Sequence, residues 1–428
     1  FSALNTAVTG LNAQSNAMSN ISDNIANTRT VGYKRVDTNF STLVTSSDSR
    51  YHQSGGVRAA PAFMHDVQGN MQQSQVNSHI AVTGSGFFSV SLPERVDPTN
   101  NSVSFRNTNY YTRAGDFTLD KNGFMVNSSG YYLNGWPVDA SSGVTNTAAT
   151  QPIRISQLLD SPVATDNVQY AANLPALVDD GTELPPNSIQ IFDAVGNQRT
   201  LQFVWTKNGP DEWELQIDAP GSTPATFGPV TATFDQGRIT ALTGGGGVTV
   251  PGAQGTGEPM DLGLTLDYGA GIGTQDLNLN LGSFGNSDGT TQFTGSELVL
   301  NSFDQNGVPP GSFKSINIDQ NGYVKLNYDN GQTKTFFQIP LVQFYNPNGL
   351  QRLDGNAFQA TPDSGVARSN PPGLGSNGTL VSNAVEAANV EISDEFSKMI
   401  VAQRTYSANA RVISTSDEML SEVINLRR

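Results

Sequence analysis

Both ends of this chain carry a seven-residue apolar repeat free of proline, and the sequence between them does not. Residues 1–28 contain a single Gly and no Pro, and Leu4, Leu11, Met18 and Ile25 recur there every seven positions. Ala7 and Ile21 fall on the intermediate position, which Gln14 interrupts. After Gly378 there is neither Gly nor Pro, and Val385, Ile392, Met399, Tyr406, Ile413 and Leu420 form an unbroken stripe flanked by Phe396 and Ala402. A heptad repeat is the pattern of a coiled-coil seam rather than of a broad globular face. Either stripe alone would also suit an amphipathic helix buried in its own core. A seam at each end favours the two ends pairing, with the intervening chain closed between them. Asn383, three residues before Glu386, reads as a capping pair opening the C-terminal helix.

The interior holds most of the 43 Gly and all of the 22 Pro, the profile of turns between short strands. Two segments, TLDKNGFMVN at 118–127 and NIDQNGYVKLN at 317–327, place Asn-Gly between alternating apolar residues, a strong hairpin signal. They flank a region of short strands such as DEWELQID at 211–218. The expected fold is mainly β with a terminal α-helical coiled coil. Residues 1–28 and 383–428 form the helical assembly domain, 29–80 an extended connector, 81–154 and 296–382 a first β domain, and 155–295 a second β domain inserted into it.

Composition removes several functions. With 38 Asp+Glu against 23 Lys+Arg the net charge is −15, which repels phosphate backbones, so no nucleic-acid partner is expected. No run approaches the length of a membrane span, so no membrane insertion is expected. The absence of Cys excludes disulfides and thiolate metal sites. The opening residues show no basic region followed by an apolar stretch, so no cleavable signal peptide is expected. His52, His65 and His79 are spaced thirteen and fourteen apart, which matches no zinc motif, and they read as surface or packing residues. Gly84-Ser85-Gly86 reads as a turn, and Asp120-Lys121-Asn122-Gly123 lacks the later Gly and Glu of a calcium loop. No catalytic residue, metal or cofactor is expected, and the chain does not read as an enzyme.

The segment ANTRTVGYKR at 26–35, entered through Asn24, Ile25, Ala26 and Asn27 and containing Gly32, Tyr33 and Lys34, resembles the motif that ends the N-terminal helix of flagellar rod, hook and hook-associated axial proteins. QRTYSANARVISTSDEML at 403–420, with Gln403, Arg404, Tyr406, Asn409 and Ala410, resembles the C-terminal motif of the same family. Segments 83–90, 111–137 and 328–361 are similar to its first β domain, so the resemblance covers about 1–140 and 295–428. It implies concentric layers, with the terminal coiled coil innermost and the β domains facing outward. The large β insertion points to the hook branch, whose polymer is a curved tubular universal joint between rod and filament. The implied partners are the chain itself, the distal rod protein, the hook cap, the hook-filament junction protein and the type III export apparatus, and the implied location is extracellular. A distal rod or junction subunit is the alternative within the family. A secreted β-rich adhesin or enzyme with a helical stalk is the alternative outside it. Two thin seams offset only part of the entropy of ordering both ends, so the helices are expected to gain their structure from neighbouring subunits.

Overall fold

The computed structural model describes residues 2–48, 51–97, 102–139, 142–155, 160–269, 271–375 and 377–425. The chain divides into two compact units. One comprises Phe1–Gln157, Lys314–Asn327 and Thr333–Arg428, and the other Leu158–Phe313 and Tyr328–Gln332.

The first unit holds both terminal helices, α1 (Ser2–Ala26) and α2 (Ile392–Asn425), packed against each other. It also holds a long antiparallel hairpin of β1 (Val36–Asp48) and β2 (Tyr51–Phe63), paired from Val36↔Phe63 to Asp48↔Tyr51. The hairpin occupies much of 29–80, which the sequence suggested was an extended connector. A Ser/Thr/Val-rich segment suits a ribbon as well as a linker, and α1 supplies the packing surface that an isolated hairpin lacks. Asn20 Nδ2 donates to Thr38 Oγ1 at 2.8 Å, and the Val57 amide donates to Thr9 Oγ1 at 3.2 Å. Gly56, at φ 110°, marks a close approach of β2 to α1, because a Cβ there would strike the Thr9 side chain.

The β body of this unit interleaves strands from before and after the insertion. Tyr132–Pro137 pairs with Thr333–Gln338, Phe87–Ser91 with Leu341–Gln343, and Tyr110–Thr112 with Ala357–Gln359, all antiparallel. Phe87, Tyr111, Val342, Phe344, Leu350 and Phe358 form an apolar cluster between these strands.

The C-terminal helix starts at Ile392 rather than at 383, so Asn383 and Glu386 are not its cap. Ala384–Glu386 is a strand paired with Met71–Gln73, and Asn383 sits at φ 55°. Val385 is buried in that strand and therefore lies outside the helical seam.

The second unit is built on a sheet of eleven strands. Within Glu212–Asp218 the side chains alternate between core and solvent, the period of a half-buried strand. Trp205, Trp213, Phe203, Phe227 and Phe284 are essentially inaccessible in its core. The strand Val299–Gln305 pairs antiparallel with Asn167–Pro175, which carries the unit on to Phe313, beyond the expected boundary at 295. Asn167–Pro175 also pairs in parallel with Thr274–Ser283 and Thr291–Phe293.

Candidate assembly site and the buried junction at its root

On α1 the fully buried positions are Ala7, Gly10, Ala13, Ala17, Ile21 and Asn24. Their small side chains let two neighbours, α2 and the hairpin, approach the same helix. A Cβ on Gly10 would come within 2.8 Å of Asn409 Nδ2, which places the C-terminal motif residue Asn409 directly over the glycine. Of the expected seam residues, Ile21 is buried and Leu4, Leu11, Met18 and Ile25 are half-buried. On α2, Met399, Ile413 and Leu420 are half-buried along with Asn409 and Ala410, whereas Gln403, Arg404 and Tyr406 are exposed. Ile392 (51% exposed), Phe396 (50%) and Ile400 (51%) present an uncovered apolar face over the first turns of α2, and Val401 (64%) is exposed on its groove side. Beside it a groove of about 640 Å³ runs between α1, β1 and α2, lined by Ala17, Ile21, Phe40, Lys398, Val401 and Ala402 among others.

Beneath the helices the N-terminal motif is tied to the C-terminal segment. Asn24, fully buried, donates through Nδ2 to the Val36 carbonyl and to Glu395 Oε2, both at 3.0 Å. Its Oδ1 accepts from the Val36 amide at 3.0 Å and from the Tyr33 hydroxyl at 3.1 Å. Both faces of one amide are therefore used to end α1 and hold it to α2. Asn27 Nδ2 donates to the Asp23 carbonyl at 2.9 Å, and Ala26 is exposed. Gly32, at φ 69°, lies against the backbone of Ala114, where a Cβ would collide. The Tyr33 ring is covered by Arg352, whose guanidinium carbon is 4.3 Å from the ring centroid.

At the centre of the junction Glu386 is inaccessible to solvent. Its Oε1 accepts from Lys34 Nζ at 2.6 Å and from the Gly69 amide at 2.8 Å, and its Oε2 accepts from Arg113 Nη1 at 3.0 Å. Lys34 also donates to the Val67 carbonyl at 2.6 Å, and Arg113 Nη2 donates to the Gly84 carbonyl at 2.8 Å. Burial lowers the Lys34 pKa, opposed by the Glu386 carboxylate beside it. One carboxylate thus joins the N-terminal motif, the β body and the approach to α2. Sequence reading assigned Glu386 to a helix cap and did not single out Arg113. The available signal was an acidic residue set within the small, apolar run Ala384-Val385-Glu386-Ala387-Ala388.

The hairpin's root is held by His65, which is buried with its ring between Phe63 (centroids 5.2 Å apart) and Phe358 (4.5 Å). Its Nδ1 lies 3.0 Å from the Pro347 carbonyl. Burial pulls its pKa from 6.5 down to about 4, with the cations Arg352 and Lys34 adding to the fall and the Pro347 hydrogen bond and Asp66 opposing it. The unfolded chain binds this proton more readily than the folded one. The histidine's contribution is therefore complete above pH 6.5 and lost as pH falls toward 4. That loss is on the order of 3 kcal/mol. Urea unfolding across this range should show it, and His65→Gln should flatten that part of the profile; an unchanged slope would refute the assignment. The side chain of His52 lies outside the described residues. Among the described residues no group of His, Cys, Asp and Glu could hold a metal ion, and no helix is long and apolar enough to cross a membrane.

Four family models match the chain in order. They are the flagellar basal body rod protein (residues 4–34), the flagellar hook protein FlgE/F/G D1 domain (81–169), the flagellar basal body protein FlaE D2 domain (177–308) and the flagellar basal body rod FlgEFG protein C-terminal model (381–426). The chain is 31% identical to flagellar hook protein FlgE of Brucella suis biovar 1 over 442 residues, covering 100% of this chain and 99% of that one. It is 30% identical to FlgE of Escherichia coli K12 over 443 residues, covering 99% and 100%. The crystal structure of Helicobacter pylori flagellar hook protein FlgE2 aligns with 74% of this chain and 100% of its own at 16% identity, with a TM-score of 0.46.

Proposed function

This chain belongs to the flagellar hook protein family and is a structural subunit of the hook, and from that premise we propose that it polymerises through its terminal helices. The carrying observation is the uncovered apolar face of Ile392, Phe396 and Ile400, on a helix that already packs on α1 through other residues. An exposed apolar patch next to an apolar groove is the surface of a chain that buries it in a neighbour. Subunits of one kind joined head to tail, with unlike surfaces in contact, generate a helical polymer rather than a closed ring when the rotation does not close.

The heptad positions Leu4, Leu11, Met18, Ile21 and Ile25 on α1, and Ile392, Phe396, Met399, Tyr406, Ile413 and Leu420 on α2, are the assembly residues in this reading. The motif residues at 24–34 hold the helices to the β body. The polymer is a curved tube that transmits torque from rod to filament while bending. Its flanking partners are the distal rod protein, the hook cap and the hook-filament junction protein, and it reaches the outside of the cell through the type III export apparatus. Electron microscopy of concentrated, purified protein should show curved tubes. A preparation containing only compact monomers or stalked trimers would overturn the reading.

A further inference from the structure

Tyr345 is 99% exposed and Val366 is 81% exposed. Neither sits on a loose loop. Phe344 on one side of Tyr345 and Leu350 a few residues on are both buried in the apolar cluster of the β body. Asn346 ties their loop to the next one, its amide donating to the Ser364 carbonyl at 3.1 Å and its Nδ2 to the Asp363 carbonyl at 3.2 Å. The second loop is braced in turn. The Thr361 amide donates to Ser364 Oγ at 3.0 Å, the Ser364 amide to Thr361 Oγ1 at 3.2 Å, and Thr361 Oγ1 to the Gly349 carbonyl at 2.6 Å. Gly365 lies against Tyr345, where a Cβ would stand 3.3 Å from the tyrosine Cβ, so the two loops meet beside Tyr345, one residue from Val366.

A rigid mount removes the loop-ordering part of the entropic cost of binding, and tyrosine in such a setting is a preferred contact anchor. We propose that Tyr345 and Val366 form a contact knob on the β body that seats against a second copy of this chain in the polymer. The inference rests on the self-assembly proposed above, but on a surface separate from the helices.

Charge favours another copy as the occupant. Two chains of net charge −15 repel wherever acidic surface meets acidic surface. No charged residue lies between Lys334 and Arg352, and the second loop carries only Asp363 before Arg368. The knob's two loops are therefore sparse in charge on an acidic molecule. The same loop is continuous with the assembly region, since Asn348 Oδ1 accepts from the His65 amide at 2.8 Å at the root of the hairpin that lies along α1.

The test compares Tyr345→Ser with Val366→Ser and their double variant in the full chain. Thermal melting should match the parent, because both side chains stand in solvent. The critical concentration for tube formation should rise at least tenfold in the double variant. A photo-crosslinking phenylalanine analogue placed at 345 should join two copies in tubes and none in dilute monomer. Parent-like assembly of the double variant, or crosslinks only to other proteins, would overturn the knob. Phe396→Ser runs alongside. If it blocks assembly while the knob variants do not, only the knob fails; if none of them affects assembly, the helix reading fails as well.

Discussion

Replacing Glu386 with alanine is expected to destabilise the first unit by about 3–5 kcal/mol, the range for leaving buried charge without its partner. The carboxylate is inaccessible and receives Lys34, Arg113 and the Gly69 amide within 3.0 Å. Lys34 and Arg113 are themselves buried, so deletion of the anion leaves two cations facing each other in low dielectric. The opposite deletion is milder. Lys34→Met leaves Arg113 and Glu386 as a neutral pair and removes a group that burial already makes harder to charge. The ranking, with Glu386→Ala costing more than Lys34→Met, separates an electrostatic clamp from simple loss of packing. Because the chain has two units, a global melt need not be two-state. Hydrogen exchange resolved along the chain is the better measurement. In Glu386→Ala, the amides of 71–73 and of 384–389 should exchange faster while the second unit keeps its protection. Equal protection in both variants, or faster exchange in Lys34→Met, would refute the clamp.

The two stripes show how far sequence could reach. Seven-residue spacing was enough to identify a helix at each end, expected over 1–28 and 383–428 and found over Ser2–Ala26 and Ile392–Asn425, because the interior lacks that period. It could not tell which part of each stripe faces inward. On α1 four of the buried positions are the small Ala7, Gly10, Ala13 and Ala17, which pattern reading ranks below Leu and Met. Apolar periodicity measures partner surface without saying whether the partner lies in the same chain, and on α2 Phe396 remains outside while Ala402 is covered. The junction was hidden for another reason. Lys34 and Glu386 are 352 positions apart, and no local propensity reports a contact at that separation. Glu386 three residues after Asn383 satisfied a capping pattern, but its charge was needed elsewhere. In the inserted unit, alternation revealed strands such as Glu212–Asp218. The parallel pairing of Asn167–Pro175 with Thr274–Ser283 depends on tertiary closure that the strands themselves do not encode.

The triple substitution Ile392→Ser, Phe396→Ser, Ile400→Ser is expected to raise the concentration needed for tube formation steeply while leaving the monomer intact. The three positions stand four residues apart on one side of α2, each about half exposed. Serine is close to isoleucine and phenylalanine in helix propensity, so α2 itself should be little affected, and a neutral replacement adds nothing to the self-repulsion of an acidic chain. Burying the remaining exposed half of three large apolar side chains gains on the order of 3 kcal/mol per subunit. In a polymer that term sets the critical concentration, which changes tenfold for about every 1.4 kcal/mol, so a rise of roughly a hundredfold is expected. Serine at Gln403, Ser407 and Arg411, the exposed polar face of the later turns, provides the comparison through its two changed positions and should raise that concentration far less. Sedimentation across a concentration series reads the threshold, and circular dichroism of dilute protein reads the helices. A parent-like threshold in the triple variant would mean that the apolar face of α2 is not buried on assembly. The hook would then have to be held by its β bodies, with the terminal helices in a different role.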